Sequence, residues 1–194
     1  MTITPGQRIA GVAIDHENRE ENDFYPTPPE ATRALLRVEK FTGNIWEPAC
    51  GDGAISKVLE AAALTVISTD LIDRGYGTGG RDFMMEWKSL APNIVTNPPF
   101  TLTQEFIERA VMISTGKVAF LMRLQCLAGQ ERKKFYDRFP PARVWVISNR
   151  MKMLRGGIEL EEGQSGGVFD FAWFVWYHGY QGATKLGWLN TKEK

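Results

Sequence analysis

Between residues 44 and 148 the chain alternates β-branched runs with amphipathic ones, and this alternation restricts the fold more than any other feature of its 194 residues. NIWEPA (44–49), LTVISTD (64–70), NIVT (93–96), KVAFLMR (117–123) and RVWVIS (143–148) read as strands. AISKVLEAAA (54–63), LTQEFIERAVMIS (102–114) and GQERKKFYDRF (129–139) read as the helices between them. Strands joined by helices make right-handed crossovers, which give a mostly parallel sheet covered on both faces. An earlier helix is expected in ATRALLRVEKF (31–41), started by Pro28 and Pro29. The aromatic run GGVFDFAWFVWYHGY (166–180) follows a glycine-rich loop and no helix, so it is expected to lie antiparallel to its neighbour. Residues 1–23 are polar, carry an acidic cluster and show no period, and are expected to form a flexible arm before one domain, 24–194.

Composition narrows the class. With 43% hydrophobic and 24% charged residues the chain reads as a soluble globular domain. It has no apolar stretch near the roughly 18 residues that span a bilayer and no basic-then-apolar leader, so a cytoplasmic protein without a membrane partner is expected. Cys50 and Cys126 form no CxxC pair and have no histidine at ligand spacing, so neither a metal site nor a disulfide framework is expected. The zero net charge is unevenly spread: residues 1–30 hold two basic and six acidic side chains, residues 101–155 eleven basic and four acidic. That split can leave one basic face for phosphate, and a solvated helix face accounts for Arg132, Lys133 and Lys134 equally well.

The loop EPACGDGA (47–54) follows the first strand, at the carboxyl edge where open α/β sheets bind small molecules. Gly51 and Gly53 permit a tight turn and close backbone approach, and Ala49 and Cys50 are small enough to leave room for a ligand. Asp70 ends the second strand about where an acid would meet a ribose. The third glycine of a dinucleotide fingerprint is replaced by Ser56, which argues against a nicotinamide cofactor.

Taken in order, YPTPPE (25–30), EPACGDG (47–53), STD (68–70), RDF (81–83) and TNPPF (96–100) resemble the motifs of S-adenosylmethionine-dependent amino-methyltransferases. The likeness is greatest to DNA adenine-N6 methyltransferases of gamma motif order, in particular short enzymes of phages and prophages, and covers roughly residues 24–150. The resemblance implies a class I methyltransferase (Rossmann-like) sheet of seven strands, the last antiparallel. It implies that Thr27 meets the carboxylate end of the cofactor's methionine, with Glu47 and the backbone of Cys50 and Gly51 beside it. It also implies that Asp70 takes the ribose hydroxyls, Asp82 accepts from the cofactor's adenine amine and Phe83 packs beside that ring.

The stretch Asn97-Pro98-Pro99-Phe100 carries the chemistry that the resemblance implies. An adenine amine is conjugated with its ring, so its lone pair is a poor nucleophile. Two fixed acceptors, the Asn97 side-chain oxygen and the Pro98 carbonyl stiffened by Pro99, would draw the nitrogen toward a tetrahedral shape, and Phe100 would stack on the base. Many relatives have tyrosine where Phe100 stands. A duplex target would have to be flipped out. RNA, a protein glutamine amide or an inactive cofactor-binding module are the alternatives. Only residues 149–167 stand where sequence-specific relatives carry a recognition domain, so low sequence preference is expected, with Arg150, Lys152 and Arg155 on backbone phosphate. Replacing these three by alanine is expected to weaken binding to all DNA sequences alike and to flatten its dependence on salt, measured by titration at several ionic strengths.

Overall fold

A computed structural model describes residues 24–149, 151 and 169–192. The N-terminal arm and Arg150, Lys152 and Arg155 lie outside the described residues. The first helix, α1 (Pro29–Val38), begins with proline at a position whose missing N–H costs no helical bond. It turns Ala31, Ala34 and Leu35 inward. The chain continues through β1 (Ile45–Glu47), α2 (Ala54–Ala61), β2 (Val66–Ser68), β3 (Asn93–Thr96), α3 (Thr103–Ile113), β4 (Lys117–Arg123), α4 (Gln130–Arg138), β5 (Arg143–Ile147), β6 (Phe171–Tyr177) and β7 (Lys185–Leu189).

The seven strands form one sheet in the order β2-β1-β3-β4-β6-β5-β7. Strands β2, β1, β3 and β4 pair in parallel, and β6 runs antiparallel to both β4 and β5. This is the class I methyltransferase architecture, with the long aromatic strand antiparallel. That strand is the sixth, however, and the last strand, β7, lies at the sheet edge parallel to β5. Its pattern is short and broken by Gly187, which gives space to the Trp145 ring: a Cβ there would sit 2.3 Å from Trp145 Cζ3.

Alternation along β4 sorts the core into two layers. Val118, Phe120 and Met122 pack with Phe106, Ile107 and Ala110 of α3 on one face. Ala119 and Leu121 pack with residues of α1 and α2 on the other. Both faces of the central strands are therefore dry, and polar side chains gather at the strand ends. Among the described residues no helix is long and apolar enough to cross a membrane.

Part of the basic surplus of residues 101–155 is matched locally. Lys133 pairs with Asp137 and Lys134 with Glu131 along α4, Arg138 reaches Glu108 on α3, and Arg132 donates to the carbonyls of Gln125 and Ala128. Arg132, Lys133 and Lys134 are thus a solvated helix face with its own counter-charges.

Lys117 and Arg143 turn to Glu39, the residue that ends α1. The Glu39 carboxylate is fully enclosed and accepts from Lys117 Nζ at 2.8 Å, Arg143 Nη1 at 3.0 Å, Trp145 Nε1 at 2.9 Å and the Tyr177 hydroxyl at 2.9 Å. Burial alone would raise its pKa, but these donors hold it below the ordinary 4.5. The carboxylate's contribution is accordingly complete above that value and is lost as pH falls through the lower folded one. Glu39→Ala leaves two cations, an indole and a phenol without their acceptor, and is expected to destabilise the fold by about 3 kcal/mol at neutral pH. In urea unfolding, the deficit should shrink on acidification below the ordinary glutamate range.

Candidate functional site

A cavity of about 330 Å³ opens where the carboxyl ends of β1, β2 and β3 meet the segment before α1, a volume at the lower end of the range for small-molecule sites. Ten of the sequence-predicted residues line it: Thr27, Glu47, Ala49, Cys50, Gly51, Asp70, Asp82, Phe83, Asn97 and Pro99. Gly53, Pro98 and Phe100 do not.

The turn after β1 is built around Gly51, which adopts a left-handed φ of 56°. A Cβ at this position would lie 2.6 Å from Phe24 Cε2, so glycine is needed for the Phe24 ring to approach. The Gly51 amide donates to Asp70 Oδ2 at 2.8 Å, and Asp70 Oδ1 accepts from Ile72 N at 2.9 Å. Asp70 thereby ties the glycine turn to the end of β2, with lone pairs to spare for a ligand. Gly53, also left-handed, serves the outer side of the turn, where Tyr76 packs against it and donates to Glu60.

Glu47 ends β1 and is 1% exposed. Its Oε2 accepts from the Ser56 amide at 2.8 Å, which satisfies an N–H of the first turn of α2, and also from the Ser56 hydroxyl. The missing third glycine of a dinucleotide fingerprint thus has its own function, because Ser56 is the anchor of this carboxyl. Burial pushes the Glu47 pKa well above the ordinary range, and the Ser56 bonds oppose that rise only in part. Burial, together with Glu47 nearby, also pushes the Cys50 thiol up to about 12. Cys50 therefore remains a small neutral wall residue and no nucleophile.

At the other end of the cavity, Asp82 Oδ1 accepts from Met84 N at 2.8 Å and caps a short 3-10 turn, Phe83–Met85. Phe83 is 2% exposed and packs against Trp46 and Phe106, so it belongs to the core as well as to the cavity wall.

β3 delivers Asn97 to the same cavity. Asn97 Nδ2 donates to the Tyr25 carbonyl at 3.0 Å. A carbonyl can only accept, so this bond fixes which way the amide is turned. Asn97 Oδ1 is left buried with no hydrogen-bond partner among the described residues. The Phe100 ring points elsewhere: it meets the Tyr25 ring at 5.3 Å and carries the Arg123 guanidinium at 4.4 Å. That guanidinium also lies 3.9 Å from the Phe169 ring centre. Sequence reasoning missed Phe24, Arg74, Arg123 and the part played by the Tyr25 carbonyl. Tyr25 holds Asn97 through its backbone, which no side-chain pattern records, and Arg74 and Arg123 lie over the rings of Phe24 and Phe100, distant in sequence. Among the described residues no group of three or more His, Cys, Asp or Glu side chains could hold a metal ion.

No family model and no curated protein sequence matches the chain. Solved structures do resemble it. A Pyrococcus horikoshii protein described as an RNA methyltransferase matches with a TM-score of 0.60 at 15% identity, over 81% of this chain and 88% of that one. An S-adenosylmethionine-dependent O-methyltransferase of Thermotoga maritima matches with 0.53 at 13% identity, over 86% of this chain and 71% of that one. A modification subunit from Vibrio vulnificus, described as part of a type I restriction enzyme, matches with 0.54 at 11% identity, over 92% of this chain and 48% of that one. At such identities the shared property is the fold.

The raised pKa of Glu47 has a measurable sign. Its folded carboxyl holds the proton to higher pH than the unfolded one, so its contribution to stability is fully present below 4.5 and lost as pH rises through the folded value. Glu47→Gln keeps an acceptor oxygen for Ser56 and cannot ionise. In thermal unfolding of the ligand-free proteins between about pH 4 and 8, the variant is expected to gain on the wild type as pH rises.

Proposed function

We propose that the chain is an S-adenosylmethionine-dependent methyltransferase whose acceptor is the exocyclic amine of adenine in DNA, taken with little sequence preference. The observation that carries this reading is Asn97, which lines the cavity that also contains the Gly51 turn and Asp70 and whose Oδ1 is buried without a partner among the described residues. Orphaned buried acceptors are rare in folded proteins, and one on a cavity-lining residue whose amide nitrogen is already engaged is suited to a ligand's N–H. The methyltransferase fold supports the same reading.

The residues fit the cofactor. Gly51 keeps backbone close to the cavity without a side chain, Asp70 offers lone pairs to ribose hydroxyls, and Phe83 gives an apolar wall beside the acid Asp82. Thr27, 4% exposed, offers a hydroxyl at the methionine end. When bound, S-adenosylmethionine supplies a methyl group activated by a sulfonium. Asn97 Oδ1 accepts one hydrogen of the target amine, and the Pro98 carbonyl, stiffened by Pro99 although Pro98 is not among the cavity-lining residues, is the expected acceptor of the other, which localises the nitrogen lone pair. These acceptors are preorganised, so no titrating base is required to begin the attack. A planar base stacking on Phe100 takes the place of one of that ring's present neighbours, Tyr25 or Arg123.

RNA is the second reading, favoured by the likeness to the Pyrococcus protein described as an RNA methyltransferase. Incubation with labelled S-adenosylmethionine and DNA, RNA or protein, followed by digestion, separates these readings. N6-methyladenine from DNA is the expected product, label in RNA or in glutamine would move the acceptor, and binding without transfer would make the chain an inactive module. Asn97→Ala is expected to lower transfer at least about a hundredfold while cofactor binding survives, since the lost acceptor acts on the target amine. Full activity in that variant would place the chemistry elsewhere.

A further inference from the structure

The cofactor named above carries two cationic groups, the α-ammonium and the sulfonium, and one anionic group, the α-carboxylate. The cavity answers them unequally. Three acids line it, Asp52, Asp70 and Asp82, beside the buried, proton-holding carboxyl of Glu47, against two cations, Arg74 and Arg81. A carboxylate entering such a wall needs a dedicated positive partner, since the acids around it repel it.

Arg81 is already committed. Its Nε and Nη2 donate to the two carboxylate oxygens of Glu86 at 2.5 and 3.1 Å. Arg74 stands differently: its guanidinium lies 4.1 Å above the Phe24 ring, and among the described residues no carboxylate pairs with it. Phe24 in turn sets its edge against the Gly51 turn. Arg74 is therefore held at the glycine-turn end of the cavity, on a ring whose attraction for a cation is weaker than a charge-assisted hydrogen bond.

Resting on the proposed cofactor, we infer that Arg74 binds the α-carboxylate of its amino-acid end and makes the site select the intact amino acid over a truncated nucleoside. The planar guanidinium offers two parallel N–H donors that match a carboxylate, and the Phe24 face stores it beside the cavity until that carboxylate arrives. The Thr27 hydroxyl, in the same cavity wall, is a neutral donor and cannot offset the field of these acids by itself.

Two ligands that differ in the amino-acid end test this by binding alone: S-adenosylhomocysteine, which carries the carboxylate, and 5′-methylthioadenosine, which lacks it. In calorimetric titration the wild type is expected to prefer the first. Arg74→Ala should weaken S-adenosylhomocysteine roughly ten- to hundredfold, the loss of a charge-assisted pair, and leave 5′-methylthioadenosine within about twofold. Arg74→Lys should recover part of the loss, since it keeps the charge without the fork. Equal weakening of both ligands would mean that Arg74 only supports the Phe24 wall, and unchanged preference would remove it from the carboxylate; either result overturns the assignment. A wild type that binds neither ligand overturns the cofactor reading and this assignment with it. Retained 5′-methylthioadenosine binding also certifies that the variant is folded.

Discussion

The enclosed carboxylate of Glu39 is the point from which the site takes its alignment. It ends α1 and gathers donors from the start of β4 (Lys117), from β5 (Arg143 and Trp145) and from the end of β6 (Tyr177), all at one edge of the sheet. The antiparallel register sets Lys117 directly opposite Tyr177, so a single carboxylate can satisfy both. A helix of ten residues spans about 15 Å, and the other end of α1 lies beside the cavity, two residues after Thr27. Near that end, in the first turn of α1, Trp173 Nε1 of β6 donates to the Ala31 carbonyl. Fixing α1 at both places fixes Tyr25 and Thr27, and the Tyr25 carbonyl is what orients the Asn97 amide. A carboxylate at the opposite edge of the sheet thus bears on which atom of Asn97 is left without a partner.

The buried polar groups of the two sheet edges follow different rules. At the Glu39 edge every carboxylate oxygen has a donor, and the arrangement is structural. At the cavity edge Glu47, Asp70 and Asp82 each secure a loop or a turn, so their backbone partners are satisfied before any ligand arrives. Asn97 departs from that economy, with its nitrogen engaged and its oxygen not. Leaving an acceptor without a partner costs the fold free energy, and such exceptions gather where a protein acts.

How much of this was legible in the sequence depends on the kind of interaction. The alternation of strands and helices was legible because burial on both faces leaves continuous apolar runs: KVAFLMR is β4 from end to end, with its five central residues buried. The glycine turn and Asp70 were legible because a left-handed φ and a carboxylate at a strand end are local demands written in residue type. The strand β7 was not legible, since it is partly exposed and interrupted by a glycine whose reason is the Trp145 ring. Charge counts misled in the same way: Lys117 and Arg143 read as surplus until folding brings them to Glu39, 78 and 104 residues away in sequence. Tyr25 was legible as part of a motif, but its carbonyl's hold on Asn97 spans 72 residues and leaves no mark in either segment.

On the proposed reading the two halves of the site differ in readiness. The cofactor half has its loops fixed by backbone bonds to carboxylates and its cavity open, so a ligand can enter without displacing a core side chain. The acceptor half is occupied by the protein's own groups, with Phe100 against Tyr25 and beneath the Arg123 guanidinium, which Phe169 also contacts. A guanidinium is planar and cationic, and it fills the face of an aromatic ring much as a nucleobase would. A base reaching Phe100 must exchange with one of these neighbours, and Arg123 gives up two ring contacts when it leaves. That exchange favours an acceptor able to repay it with stacking and an anionic backbone, a requirement that a nucleic acid meets and a glutamine amide does not.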